Sequence, residues 1–183
     1  MQETKLGRDF FIQDVLDVAP KLIGKLLCRK LPDNTVIKSR IIETEAYNGN
    51  GDLACHATKG KTERTKAFFY EGGHVYIYLC YGIHWLLNIV TGNKDEPQAV
   101  LIRAVEEAIG PGRVGKYFHL DKSHYGEDLT TSNVIWIEDD GINLTYISTP
   151  RIGIDYAGEP WISKKWRFVH ETTKKTRKSK RIQ

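Results

Sequence analysis

Residues 74–90 read HVYIYLCYGIHWLLNIV. Two apolar runs flank Tyr81-Gly82, and this pattern predicts two strands joined by a turn. Side chains alternate along a strand with a period of two, so Tyr76 and Tyr78 share one face. Tyr81 falls at the expected tip. A large aromatic there has no core to join and is suited to stacking or to wedging into a base step. Asn88 interrupts the second apolar run. Burying its amide without partners costs about 1–3 kcal/mol, so it either closes a structural network or reads a ligand. A half-buried hairpin packed on a core also explains the remaining aromatics, with Tyr76, His84 and Trp85 among them.

Working outward, Val36–Thr44 is rich in β-branched residues and reads as a strand, opened by the turn signal Pro32-Asp33-Asn34. Ala99–Val105 and Val134–Glu138 read as further strands. Asp17 to Leu27 reads as a helix with Asp17 as N-cap, Pro20 in the first turn, and an apolar stripe of Ala19, Leu22, Ile23, Leu26 and Leu27. Gly110-Pro111-Gly112 introduces another helix. A long loop from Asn48 to Lys66 carries Lys59, Lys61, Arg64 and Lys66, and loops of this length in compact domains are often functional. The expected fold is α+β: a single domain with a curved, mostly antiparallel β-sheet, flanking helices and a protruding β-hairpin.

A chain of 183 residues can bury a real core without staples. No stretch approaches the roughly 20 apolar residues of a membrane span, and Met1 to Asp9 lacks the apolar centre of a signal peptide. A soluble intracellular protein is expected, with no membrane partner. The three cysteines, Cys28, Cys55 and Cys80, form no CxxC pair. The six histidines form no HExxH motif. No metal is therefore expected. The net charge of +4 is unevenly spread. Residues 164–183 hold nine Lys/Arg against one acid, and the other 163 residues hold 18 basic and 22 acidic groups. A nucleic-acid reading must therefore rest on local patches rather than on overall charge. The expected organisation is a domain over residues 1–170 and a basic C-terminal tail over 171–183.

Two further features bear on chemistry. In Glu43-Thr44-Glu45-Ala46-Tyr47 the two acids point to one face if the segment is a strand. They are either a solvent-facing acidic edge or a pair with one member in a cleft. Arg103 is the only basic group in its strand. If buried, it needs a carboxylate or a phosphate, and Glu43 and Glu45 are candidate partners.

Taken in order, ETEAY, His56, GHVYIYLCYG, Asn88 and VLIRA resemble the alkyladenine (3-methyladenine) DNA glycosylase family. The openings KLGRDFF and KLIGKLLCRKLPD and the closing RIGIDYAGE and WRF extend the likeness over nearly the whole chain, leaving out the tail after Phe168. The resemblance implies a monofunctional enzyme of base excision repair. It would flip alkylated or deaminated purines (3-methyladenine, 7-methylguanine, hypoxanthine, ethenoadenine) from double-stranded DNA, and would cut the N-glycosidic bond to leave an abasic site. It implies Glu45 as general base and Arg103 as the residue that helps place the attacking water. Tyr47, His56 and Tyr78 would wall the base pocket. Tyr81 would be the wedge, reaching into the minor groove, and Asn88 would oppose the exocyclic amine of normal guanine. No cofactor is implied, and the protein would act as a monomer, in the cytoplasm (nucleoid) of a bacterium or the nucleus of a eukaryote. The chain departs from the pattern at His84 and Trp85, at Arg64-Thr65 where Arg-Asn is expected, and at the extra glycine of Gly110 to Gly115.

The chemistry suits these residue types. Extruding a base costs a few kcal/mol, which aromatic stacking at roughly 1–3 kcal/mol per base helps to offset. A cationic alkylated base gains further from electron-rich faces. Positive charge that builds on the sugar needs a nearby carboxylate. With no lysine in the matched motifs, no Schiff base and no strand cleavage are expected. Two other readings are a DNA-binding module without catalysis, in which Glu45 has no task, and a carbohydrate hydrolase using Glu43 and Glu45, in which the basic residues are idle.

Overall fold

The computed structural model describes residues 4–171. Its elements are β1 (Thr4–Lys5), α1 (Arg8–Phe11), α2 (Val15–Lys21), β2 (Leu26–Lys30), β3 (Val36–Asn48), β4 (Val75–Cys80), β5 (His84–Val90), β6 (Gln98–Val105), β7 (Ala108–Ile109), α3 (Pro111–Tyr117), β8 (Ile135–Asp139), β9 (Tyr146–Thr149) and β10 (Arg167–His170). The strands form one open ten-stranded sheet in the order β1-β8-β2-β3-β6-β5-β4, with β10 joining β3 to β9 and β7 on β6. The pairings are antiparallel, and the helices are few and short. This is the α+β, mostly antiparallel single domain expected from the sequence.

Strand β3 is the longest element and organises the rest. Its first half pairs with β2, and its second half pairs with β6 and with β10. The expected strand stopped at Thr44, but pairing continues through Asn48 because β6 offers partners as far as Gln98. Register shifts around Glu43 mark where the strand turns from one partner set to the other.

The hairpin β4–β5 forms as predicted. Tyr76 pairs with Asn88 and Tyr78 with Leu86. One face therefore carries Tyr76, Tyr78, Leu86 and Asn88, and the other sends Val75, Ile77, Leu87 and Ile89 into the main core. At the tip, Tyr81 (φ 51°) and Gly82 (φ 72°) both adopt positive φ, and the Ile83 N–H donates to the Cys80 carbonyl at 3.1 Å. Positive φ at both central residues marks the primed turn that matches strand twist. Tyrosine is costly in this region, by roughly 1–2 kcal/mol. Its side chain is 92% exposed.

The helix expected over Asp17–Leu27 is corrected. Helix α2 begins at Val15, with the Asp14 side chain accepting from the Leu16 N–H at 2.8 Å. Pro20 lies near its end rather than in its first turn. The apolar stripe is real, since Ala19, Leu22, Ile23 and Leu27 are all buried. The helix stops because Gly24 takes φ 97°, its N–H donating to the Ile41 carbonyl at 2.8 Å. Leu26 and Leu27 then continue as strand β2. Glycine just past a helix end is the stop signal that the stripe concealed.

The extra glycine in the 110–115 segment also has a structural cause. Gly115 of α3 lies on the backbone of β5, where an added Cβ would sit 2.0 Å from the Trp85 carbonyl oxygen, and one at Gly112 would sit 2.8 Å from the His84 ring. The helix braces the root of the hairpin through these contacts. Gly115→Ala is expected to destabilise the fold by about 1–3 kcal/mol through overpacking. Thermal unfolding checks this, and for a domain of this size the Tm should fall by roughly 2–12 °C. The expected basic tail lies outside the described residues apart from Glu171.

Candidate functional site

The centre of the site is built on β3. Glu43 and Glu45 are 1% and 0% exposed, so the acidic-edge reading of this pair is excluded. Both face Arg103, which stands opposite on β6. The Arg103 Nε donates to Glu43 Oε1 at 3.2 Å and its Nη1 to Glu45 Oε2 at 3.2 Å. Both candidate partners of this arginine are thus engaged at once. Burial alone would lower the Arg103 pKa, but the Glu45 and Glu43 carboxylates outweigh it and raise the pKa above the usual value. Its charge is therefore permanent.

Glu45 is held from two further directions. The Tyr47 hydroxyl donates to Oε2 at 2.7 Å, and the Ile152 N–H donates to Oε1 at 2.9 Å. Burial, followed by the charge of Glu45, pushes the Tyr47 hydroxyl well above the ordinary tyrosine range. It stays protonated and remains a donor. Across the sheet, the Arg167 Nε of β10 donates to Glu43 Oε1 at 2.7 Å. Two acids and two arginines thus alternate across three adjacent strands.

Beside this cluster is a cavity of about 240 Å³. Tyr47, His56, Tyr78, Asn88 and Arg103 line it, and Tyr81 stands at its rim. The structure therefore brings Tyr47, His56, Tyr78, Tyr81, Asn88 and Arg103 together around one cavity. Glu45 lies just behind the wall formed by Tyr47 and Arg103. The His56 ring meets Tyr78 edge-on at 4.7 Å, and its Nδ1 is 3.0 Å from the Tyr76 hydroxyl. Burial, and then the Arg64 cation, lower the His56 pKa below its ordinary value, so the imidazole is neutral at pH 7. Asn88 is 4% exposed, and its Nδ2 donates to the Tyr76 and Leu86 carbonyls at 3.2 and 3.3 Å. The amide is thus fixed by backbone on its own hairpin, which satisfies it and sets its orientation at the cavity wall.

Tyr76, expected only to share a face with Tyr78, lines the cavity too, and the members on the 151–156 segment escaped the sequence reading. Tyr76 is 1% exposed and stacks behind Tyr78 at 5.6 Å. Burial pushes its hydroxyl up to about 12. Ile152, Gly153, Ile154 and Tyr156 close the far side of the cavity. This segment is anchored by Arg151, which is fully buried with Asp52. Arg151 Nη1 and Nη2 donate to the two Asp52 carboxylate oxygens at 2.6 and 2.9 Å, and Nη1 also reaches the Ala46 carbonyl at 3.0 Å. Its guanidinium lies 4.7 Å from the Tyr47 ring centre and 5.0 Å from that of Trp166. The only sequence signal for this arrangement was RIGIDYAGE, noted as a likeness without a role. A wider, open depression beside β1 is bordered by Asp139 and Asp140. Both acids are already paired, with Lys25 at 2.8 Å and Arg40 at 2.7 Å, and that depression offers no comparable chemistry.

A buried carboxylate with fixed donors, next to an aromatic cavity with an exposed aromatic at its rim, can receive a flat ring and assist hydrolysis at the bond that tethers it. Comparison with known proteins agrees with that chemistry. The family model described as methylpurine-DNA glycosylase matches residues 9–109 and 107–174. A Borreliella burgdorferi protein provisionally named 3-methyladenine DNA glycosylase is 42% identical over 183 residues, covering 92% of this chain and 97% of its own. Proteins of the same provisional name from Psychrobacter cryohalolentis and Methanocella arvoryzae are each 40% identical, covering 86% and 92% of this chain and 86% and 93% of theirs.

Proposed function

Because the chain belongs to the methylpurine-DNA glycosylase family, we propose that it removes damaged purines from duplex DNA with Glu45 as the general base. Membership makes it a DNA glycosylase, a hydrolase of N-glycosyl bonds. The observation that carries the site assignment is the threefold-held Glu45 carboxylate behind the Tyr47 and Arg103 wall of an aromatic cavity.

In this reading a purine swings out of the duplex into the cavity, between Tyr47 and Tyr78, and Tyr81 fills the gap from the minor-groove side. A water reaches Glu45 past Tyr47 and Arg103. Its oxygen attacks the anomeric carbon, its proton passes to Glu45, and the electron pair of the C–N bond leaves with the base. The product is an abasic site with a hydroxyl on that carbon. An alkylated purine is already a good leaving group. A neutral one needs a donor at the base, and neutral His56, with one N–H, is placed to supply it. Asn88 presents its amide to the base edge and disfavours guanine. One copy acts on one duplex.

The test is base release from duplexes carrying hypoxanthine, ethenoadenine or no lesion, and from methylated DNA. Wild type should leave an alkali-labile abasic site at lesions only. Borohydride should trap no protein–DNA adduct, and EDTA should not inhibit. Release from none of these substrates would sink the assignment.

The wedge makes a separable prediction. Tyr81→Gly should hold or raise the Tm, because glycine takes φ 51° without strain. It should weaken lesion binding by about 5- to 150-fold, the loss of one stacking contact of roughly 1–3 kcal/mol. Paired thermal melts and binding titrations check both. Unchanged affinity would remove Tyr81 from the interface.

A further inference from the structure

We infer that Glu43 and Arg167 are positioning residues that set the charge balance of the reacting carboxylate, an inference that rests on Glu45 being the base. Arg103 bridges the two acids, with Nε on Glu43 and Nη1 on Glu45, both at 3.2 Å. Its guanidinium is therefore oriented from two ends. Glu43 takes a second cation from Arg167 at 2.7 Å. With Glu43 and Glu45 at 1% and 0% exposure, solvent screens little of this. Neither Glu43 nor Arg167 lines the cavity, so each acts through its neighbour and not on the substrate.

The signs of the two effects are opposite. Glu43 is a second anion beside Glu45 and opposes the charge that Glu45 must hold to act as a base. It also divides the attraction of Arg103 between two carboxylates. Arg167 offsets Glu43 and so shields Glu45 from it. Other polar groups near Glu45 are Arg103 on β6, Tyr47 on β3, and the Ile152 N–H, Arg151 and Tyr156 on the segment that closes the cavity. None of these changes in the test that follows.

The experiment is the pH profile of single-turnover base release from a hypoxanthine duplex, for wild type, Glu43→Gln, Arg167→Gln and Glu45→Gln, with lesion binding and Tm measured beside it. Glutamine keeps an oxygen to accept from Arg103 Nε but removes the charge. Glu43→Gln should move the half-maximal pH on the acid side down by about one unit, and Arg167→Gln should move it up by a smaller step, since a close charge shifts such a balance by roughly 1–3 units. Lesion binding should stay within about threefold in both. A purely packing role predicts lower Tm in both variants and one shared profile, and that result overturns the inference. If one variant fails to fold, the other decides by the sign of its shift. If Glu45→Gln retains wild-type release, the failure belongs to the assignment of the base. If Glu45→Gln is inactive and the other profiles coincide with wild type, the failure belongs to this inference alone.

Discussion

Glu45→Gln should release base at about one hundredth to one ten-thousandth of the wild-type rate, while binding a lesion duplex as well as or better than wild type. The substitution is nearly isosteric. It leaves an oxygen to accept from the Ile152 N–H, and its NH2 can donate to the Tyr47 hydroxyl; Arg103 loses its Oε2 acceptor but keeps Glu43. What disappears is the proposed proton acceptor, and positioned general bases account for roughly 10²–10⁴ of rate. Removing an anion close to a polyanionic ligand should not weaken its capture. Single-turnover release measured with matched binding titrations separates the two effects. A variant that keeps its rate would return the protein to the reading of a DNA-binding module. One that loses binding and rate together would point to collapse of the cluster rather than loss of chemistry.

Arg151→Met should carry the largest stability cost of any single change at the site. Arg151 and Asp52 are both 0% exposed, so removing one leaves the other charged, buried and uncompensated. Breaking such a pair costs about 3–5 kcal/mol, a large share of the 5–15 kcal/mol that typically holds a domain together. Asp52 also accepts from the backbone of Ala54 and Asn48, and Arg151 reaches the Ala46 carbonyl beside Glu45. The damage should therefore spread to both loops around the cavity and to the Tyr47 ring that Arg151 packs on. Denaturant and thermal melts measure the loss. The double variant Asp52→Leu/Arg151→Met should recover much of it, because two apolar groups leave no orphaned charge. A single variant with wild-type Tm would show that the pair contributes nothing.

The hairpin was legible because period-two alternation and a Tyr-Gly break are local signals. The Glu43–Arg103–Glu45 bridge was legible because charges inside apolar strands demand partners. Helix α2 was misplaced because Leu22, Ile23 and Leu27 are buried whether they lie on helix, turn or strand, so burial periodicity ran on past Gly24. The Arg151–Asp52 pair could not be read at all. Its members are 99 residues apart, both in loops, where no period constrains them. Tyr76 was placed on the right face, but its depth depends on Phe68 and Tyr125, which pack on it from other segments.

The placement of β3 has a consequence for motion. Residues 43–45 are paired on both edges, to β6 and to β10, in the middle of the sheet. Amide protons there should exchange with solvent only when the whole domain opens, as is usual for central strands. The proposed base, Glu45, would thus be anchored to the slowest part of the molecule. Any breathing that would admit or expel a ligand falls to the segments on either side of the cavity, residues 48–70 and 150–162. Hydrogen exchange should find them faster than β3 by orders of magnitude, so the rate of turnover and the endurance of the fold can be tuned separately.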